Sequence, residues 1–187
     1  AGFTFNDATA VLPYLHALGI SHLYTSPYLQ AAKGSTHGYD VVDPARINSE
    51  IGTDAEHAAM CGALKSLGMG HLLDTVPNHM GIDDPGNRWW HDVLEHGQAS
   101  AHAATFDIEW NPPTPQTGHR VLLPVLGDHY GKVLEAGELQ IRFDEGSGKL
   151  VLAYWERQLP LDPRSFATVL GGMPLPVAGA EVSASVL

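Results

Sequence analysis

The sequence predicts an α/β fold with parallel strands, as an open sheet or a barrel. Three observations carry that expectation. Two helix–glycine–strand units follow one another, with like junctions at Leu18-Gly19-Ile20-Ser21-His22-Leu23 and Leu67-Gly68-Met69-Gly70-His71-Leu72. Helical crossovers of this kind are what parallel strands require, because a tight turn cannot join them. Polar residues also gather just beyond both expected strands, which is the end where α/β folds place their ligands. Six matching residues support the architecture and do not by themselves establish an internal repeat.

The first helix is expected to start at Asn6 or Asp7 and run to Leu18. Ala8, Val11, Leu12, Leu15 and Leu18 fall at helical spacing on one face. Pro13 removes one backbone donor inside it, and Gly19 is a natural terminator. Ile20 to Ser26 then reads as a strand stopped by Pro27. Thr53 and Glu56 form a capping box for a second helix, whose apolar face is Met60, Cys61, Leu64 and Leu67. Gly68 ends it, and Met69 to Val76 reads as the next strand. Between the units, Pro27 to Gly52 shows little helical or strand periodicity. So long a connection in a compact domain points to function.

Beyond about Trp90 the pattern changes. Trp89 to Glu95 suits a helix, and Asn111-Pro112-Pro113-Thr114-Pro115 is a breaker-rich loop. Arg120 to Leu126, Glu138 to Phe143 and Lys149 to Trp155 read as three strands, with Gly146-Ser147-Gly148 turning between the last two. They suggest a small antiparallel insertion. No stable fold is assigned to the tail, residues 167–187, which are poor in charge and rich in Gly and Pro.

Composition narrows the function classes. The chain has 187 residues, 44% hydrophobic and 17% charged, enough to bury a core. No run approaches the ~18 apolar residues of a membrane span. Ten basic residues against 21 acidic ones give a net charge of −11, which opposes binding to nucleic acid or an anionic membrane. A neutral or cationic partner stays open. Protonating all 11 His would bring the charge near zero, so solubility is expected to fall in mild acid. The lone Cys61 cannot form an internal disulfide, which fits a reducing cytoplasm. Residue 1 is Ala and no basic-then-apolar leader opens the chain, so the expectation is a start inside a longer protein.

Two segments can carry chemistry. Asp74, Asn78 and His79 form D-x-x-x-N-H at a strand end, with Pro77 stiffening the turn. A carboxylate, an amide and an imidazole there suit sugar hydroxyls, orientation of other side chains, a cation, or simple loop capping. In Gly34-Ser35-Thr36-His37-Gly38-Tyr39-Asp40 the glycines permit close approach, Tyr39 can offer an aromatic face to a sugar, and Asp40 can accept from hydroxyls. A Gly-rich surface loop with Tyr39 packed beneath it is the competing reading. Trp89 and Trp90 can likewise stack on carbohydrate or fill a core. A phosphate loop, a catalytic zinc motif and a serine nucleophile elbow are all missing from the sequence.

Taken together, His37-Gly38-Tyr39-Asp40-Val41-Val42-Asp43 and Asp74-Thr75-Val76-Pro77-Asn78-His79 resemble the α-amylase family of glycoside hydrolases and transglycosylases. Further stretches resemble its trehalose-forming branch more narrowly. They include Gly2-Phe3-Thr4-Phe5, Leu12-Pro13-Tyr14-Leu15, Trp89 to Gly97, Leu122 to Asp128, Leu134 to Leu139 and Leu159-Pro160-Leu161, and the likeness runs over residues 2–166.

The resemblance implies the N-terminal portion of a (β/α)8 barrel, residues 1–88, from helix 1 to strand 3. It also implies a small insertion domain after strand 3, residues 89–166. The implied reaction converts the terminal α-1,4 bond of a maltooligosaccharide to an α-1,1 bond. Tyr39 would stack under the sugar at the cleavage point, and His79 would hydrogen-bond the same sugar with help from Asp40. Asp74 and Asn78 would support the site. In calcium-binding members the matching Asn ligates the ion, but other ligands have no counterparts here, so neither metal nor cofactor is implied. The family's nucleophile and acid/base carboxylates belong to later strands, and both are expected beyond Leu187. Asp92, Glu95 and Asp107 are not promoted in their place. The chain is therefore expected to be an inactive fragment, poorly soluble or oligomeric alone, with the remainder of the barrel as its missing partner. A fragment of another glucan hydrolase or glucanotransferase, and a self-standing glucan-binding module, are the alternatives.

Overall fold

The computed structural model describes residues 2–112 and 120–171, and the chain divides after Arg88 into two compact units. In the first unit, helix α1 (Phe5–Ala17) leads to strand β1 (His22–Thr25). The hairpin strands β2 (Leu29–Ala31) and β3 (Val41–Ile47) follow, then helix α2 (Asp54–Ser66) and strand β4 (Gly70–Leu73).

Both helices start at capping boxes. For α2 it is the expected pair, with the Thr53 hydroxyl accepting from the Glu56 amide while the Glu56 carboxylate accepts from the Thr53 amide at 2.7 Å. For α1 the cap is Thr4, earlier than Asn6 or Asp7. Asp7 at the third helical position completes a reciprocal box with Thr4 that satisfies two otherwise orphaned donors, and Asn6 instead reaches Glu56 at 2.5 Å. Pro13 is accommodated inside α1.

The core of this unit is Phe5, Ala8 and Leu12 of α1 against Met60 and Leu64 of α2, with Met69 beside them. Leu12 and Met60 are fully buried, each contributing roughly 1.5–3 kcal/mol of transfer free energy. The expected apolar face of α1 is buried only in part. Leu18 is 63% exposed and Val11 37% exposed, because α2 covers a narrower stripe than the sequence marks.

Strands β1 and β4 pair in parallel, His22 with Gly70 through Thr25 with Leu73. The segment 27–52, expected to lack regular structure, contains the antiparallel β2–β3 hairpin. Register shifts on both sides of Gln30, and Pro44 inside β3, erase the period-two pattern that would have marked it. Tyr28 precedes β2 and lies between two imidazoles. Its ring stacks on His71 at 5.9 Å and tilts toward His57 at 5.0 Å, and His57 Nε2 lies 3.1 Å from its hydroxyl.

From its second residue onward helix α3 (Arg88–His96), as expected from Trp89 to Glu95, belongs to the second unit, which also holds a short helix α4 (Tyr130–Glu135). Its sheet is antiparallel with order β5 (Leu139–Asp144), β6 (Lys149–Tyr154), β7 (Arg157–Pro160). Two of these are the expected strands, but the third is not. Arg120 to Leu126 is irregular, since Leu122 is exposed and Pro124 cannot donate to a ladder. The third strand is β7, reached through a tight turn at which Trp155 takes φ 52, a conformation usually left to glycine. No glycine announced that turn.

Trp90 is buried and meets Phe106 edge-on at 5.0 Å, so it serves packing. Trp89 stacks on His102 at 5.1 Å. Glu95 is buried; Lys149 Nζ donates to its two oxygens at 2.7 and 2.8 Å, and His96 Nε2 lies 4.0 Å from one of them. Residues 166–170 form helix α5 (Phe166–Leu170) where no element was expected. The rest of the tail, from residue 172 through Leu187, and residues 113–119 of the Pro-rich loop lie outside the described residues. No described helix is long and apolar enough to cross a membrane.

Candidate functional site

Three segments of the first unit meet where β1 and β4 end. The Asp74 amide donates to the Thr25 carbonyl at 3.0 Å, carrying the parallel pairing one residue past β4. That register brings out Tyr24, Thr25 and Asp74 at one end of the strand pair. The third segment is the loop between β2 and β3. Gly38 there has φ 79, and an added Cβ would lie 2.3 Å from the Pro27 carbonyl oxygen. Only glycine lets this loop lie against the chain leaving β1. On the other side the Gly81 amide donates to the Val41 carbonyl at 2.8 Å, and a Cβ on Gly81 would press the Asp40 carbonyl at 2.9 Å.

These close backbone approaches set the side chains. The Tyr24 and Tyr39 hydroxyls both donate to Asp74 Oδ2, each at 2.6 Å. Charge-assisted bonds of this length are strong, and they act on both partners. The bonds from Tyr24 and then Tyr39 hold the Asp74 carboxyl below the usual carboxylate range. In return, the bond to Asp74 pushes the Tyr24 phenol up to about 12 and raises that of Tyr39. Asp74 is thus an anion held in place by two phenols.

His79 lies on the same network. Its Nε2 is 3.1 Å from the Tyr39 carbonyl oxygen, an atom that only accepts, so this nitrogen carries a proton. Its Nδ1 is 3.0 Å from the Asn78 side-chain amide oxygen as oriented. The Asn78 amide can meet Nδ1 with its oxygen or, turned over, with its NH2 group. Asn78 therefore orients His79, and His79 ties the D-x-x-x-N-H segment to the backbone of Tyr39.

Of the five expected site residues, Tyr39, Asp74, Asn78 and His79 form one connected group. Asp40 is turned elsewhere: its Oδ1 accepts from Ser35 Oγ at 2.5 Å and lies 3.8 Å from His37 Nδ1. It braces the Gly-rich loop. Tyr39 is 40% exposed, so the reading in which it packs beneath that loop does not hold. Tyr24 is the member sequence reasoning missed. Its signal was available, a polar aromatic residue next to the end of the first parallel strand.

A cavity of about 110 Å³ lies against Tyr28, Asp74, Pro77 and His79. A larger one of about 430 Å³ adjoins Phe3, Tyr24, Ser26 and His37. Asp74 and His79 border the smaller cavity, and Tyr39, which lines neither, is exposed with its ring stacked on His37 at 6.0 Å; a carboxylate, an imidazole and an exposed aromatic ring suit binding a polyhydroxylated ring. Among the described residues, no three His, Cys, Asp or Glu side chains converge to hold a metal ion. Asp92 bonds Ser100 and pairs with His96 at 3.1 Å, and Glu95 pairs with Lys149. Both carboxylates have structural partners in the second unit. The nucleophile and acid/base groups expected beyond Leu187 fall outside the described residues, which run to Gly171.

Comparison with known proteins agrees in kind. Residues 5–131 match the Alpha-amylase family, described as alpha amylase, catalytic domain. A Mycobacterium tuberculosis protein that bears the name maltooligosyl trehalose synthase is 45% identical over 79% of this chain and 20% of its own length. The maltooligosyltrehalose synthase from Arthrobacter ramosus superposes with TM-score 0.74 at 41% identity, over 86% of this chain and 20% of that one. The type III pullulan hydrolase from Thermococcus kodakarensis gives TM-score 0.50 at 35% identity, over 55% of this chain and 17% of that one. The chain therefore spans about a fifth of the length of these relatives.

Proposed function

The chain belongs to the α-amylase family and carries part of its (β/α)8 barrel fold, and from that premise we propose that it is the sugar-binding wall of a (1→4)-α-D-glucan 1-α-D-glucosylmutase. In this reading residues 1–88 supply helix 1 to strand 3 of the barrel, with β1 and β4 as its second and third strands. Residues 89–166 form an insertion domain after strand 3. The substrate is a maltooligosaccharide, and the product carries a terminal α-1,1 bond, the step that commits a glucan to trehalose formation.

The roles are those the family resemblance implies, and the geometry supports them. Tyr39, exposed and tethered at its hydroxyl, presents its ring under the pyranose at the cleavage point. His79, held by Asn78, hydrogen-bonds that sugar by exchanging its contact with the Tyr39 carbonyl for a sugar hydroxyl. Asp74 anchors Tyr39, and Asp40 shapes the loop that carries it. The bond-breaking groups are two further carboxyl groups from the rest of the barrel, beyond Leu187. One attacks the anomeric carbon to form a glycosyl-enzyme ester while the other protonates the departing glycosidic oxygen. The freed glucose stays bound, rotates, and attacks through its anomeric hydroxyl. Its proton returns to the acid group and the first carboxylate leaves. Exclusion of water separates this exchange from hydrolysis.

The observation that favours the mutase over a hydrolase is the extent of likeness. The match to the Arthrobacter ramosus synthase covers 86% of the chain, against 55% for the pullulan hydrolase. The test is a chimaera in which residues 5–166 replace the matching segment of that synthase. Maltopentaose should lose its reducing ends without releasing glucose, and Tyr39→Ala should cut kcat/KM by roughly tenfold or more through lost stacking. Free sugars as the main product would favour the hydrolase reading. Residues 1–187 alone should show no turnover and weak or no affinity for maltopentaose. Turnover by them would overturn the proposal, and tight binding abolished by Tyr39→Ala would make the chain a self-standing glucan-binding module.

A further inference from the structure

We propose that Tyr24 is a positioning residue of the sugar site, sharing Asp74 Oδ2 with Tyr39 and so fixing the place and tilt of the Tyr39 ring. The inference rests on the reading of Tyr39 as the stacking residue.

Tyr24 stands on β1, Tyr39 on the loop before β3, and Asp74 just past β4, so three separate segments meet at one oxygen atom. A carboxylate oxygen that accepts from a single phenol leaves that phenol free to swing about the bond. A second donor at the same oxygen restricts the direction from which the first can approach. Tyr24 suits that task, because β1 is locked in register with β4 from His22–Gly70 to Thr25–Leu73. Tyr39 sits on a loop that is held mainly through its backbone, by the close approach at Gly38, the Ser35–Asp40 bond and His79 on the Tyr39 carbonyl, while among the described residues its ring touches only the exposed His37 besides Asp74. The rigid strand therefore holds the loop-borne ring through the shared anion. Tyr24 is 61% exposed and makes no part of the buried core, so its hydroxyl is not explained by packing.

The two phenols also influence each other unequally. Both hydroxyls spend their proton on Asp74 in the neutral state, but Tyr24 can turn to donate to an ionised Tyr39 and so counters the rise of the Tyr39 phenol, whereas Tyr39 adds to the rise of Tyr24. That asymmetry supplies a readout that loss of packing would not produce.

The experiment labels the tyrosine rings of the chimaera described above with carbon-13, assigns Tyr24 and Tyr39 by their Phe variants, and follows both phenols by NMR as pH rises. In Tyr24→Phe the Tyr39 phenol should ionise at higher pH than in the parent chain. In Tyr39→Phe the Tyr24 phenol should ionise at lower pH. Shifts of opposite sign support the shared-anion arrangement, and a Tyr39 titration indifferent to Tyr24→Phe overturns it. In the chimaera described above, Tyr24→Phe should raise KM for maltopentaose on the order of fivefold with little change in kcat. An unchanged KM there would overturn the positioning role even if the phenols are coupled. Should the parent chimaera make no α-1,1 product while the phenols still shift oppositely, the mutase reading fails and the Tyr24–Asp74–Tyr39 arrangement stands.

Discussion

The two units solve the same problem of strand pairing in different ways. In the second unit each strand pairs with its neighbour in sequence, β5 with β6 and β6 with β7. The central strand is well covered: Leu150, Val151, Ala153 and Tyr154 are all buried. In the first unit the parallel strands are separated by a hairpin and a helix, and their pairing leaves Tyr24, Leu72 and Leu73 exposed. The difference follows from connectivity. Hairpins complete a sheet with local partners, whereas a parallel pair takes its neighbours from distant segments. It also leaves the strand ends of the first unit open, and that is where its polar groups collect.

Five substitutions probe this contrast, the last of them read against pH, and the largest effect is expected at Gly38. Gly38→Ala places a Cβ 2.3 Å from the Pro27 carbonyl at φ 79 and should destabilise the first unit by about 3 kcal/mol or more. Gly148→Ala, also at positive φ but facing open space, should cost the second unit only about 1 kcal/mol. Denaturant melts of the two variants would measure the pair, and equal losses would show that strain rather than the Pro27 contact governs both.

Next is Lys149→Met, which strands the buried Glu95 carboxylate. A loss of about 1–2 kcal/mol is expected in the second unit, moderated because Lys149 is itself partly exposed. A double variant with Glu95→Gln should recover part of it. Thr53→Ala removes the α2 cap and should cost about 1 kcal/mol in the first unit, seen as a lower Tm.

The smallest expected change is a pH dependence confined to the first unit. Burial, and secondarily the nearby His57, lower the His71 pKa below its ordinary 6.5. The unfolded chain therefore binds the proton more readily than the folded one. Stability from this group is complete above about pH 6.5 and is lost as pH falls through that value toward the folded pKa. His57 and the Tyr28 hydroxyl face the same cluster, and Thr25 Oγ1 lies 3.0 Å from His71 Nε2. His71→Gln should flatten the dependence of Tm on pH between about 7 and 5 without altering melts of the second unit.

How far the site could be read ahead of the structure depends on the distance between partners. The Thr53–Glu56 box and the Asp74-to-His79 segment are contiguous, and both stand where the sequence places them. The α1 cap was offset because Thr4 and Asp7 make a reciprocal box just as local, one that competes with Asn6 and Asp7 as cap residues. The Arg120–Leu126 expectation failed because strand propensity is realised only when a ladder partner exists. Strand β7 was hidden because its turn uses Trp155 rather than the usual glycine.

The sequence by itself determined the parallel α/β class, the two helices α1 and α2 with their stops, and the presence of a carboxylate, an amide and an imidazole beyond β4. Those features follow from residues within one or two helical turns of each other. Only the tertiary structure decided that Asp40 braces its own loop, that α1 buries just part of its apolar stripe, and that Tyr24 joins Tyr39 on one oxygen of Asp74. These depend on strand register and on contacts between residues far apart in the chain. No local pattern encodes where such side chains meet, because the packing of the whole unit sets the distance between them.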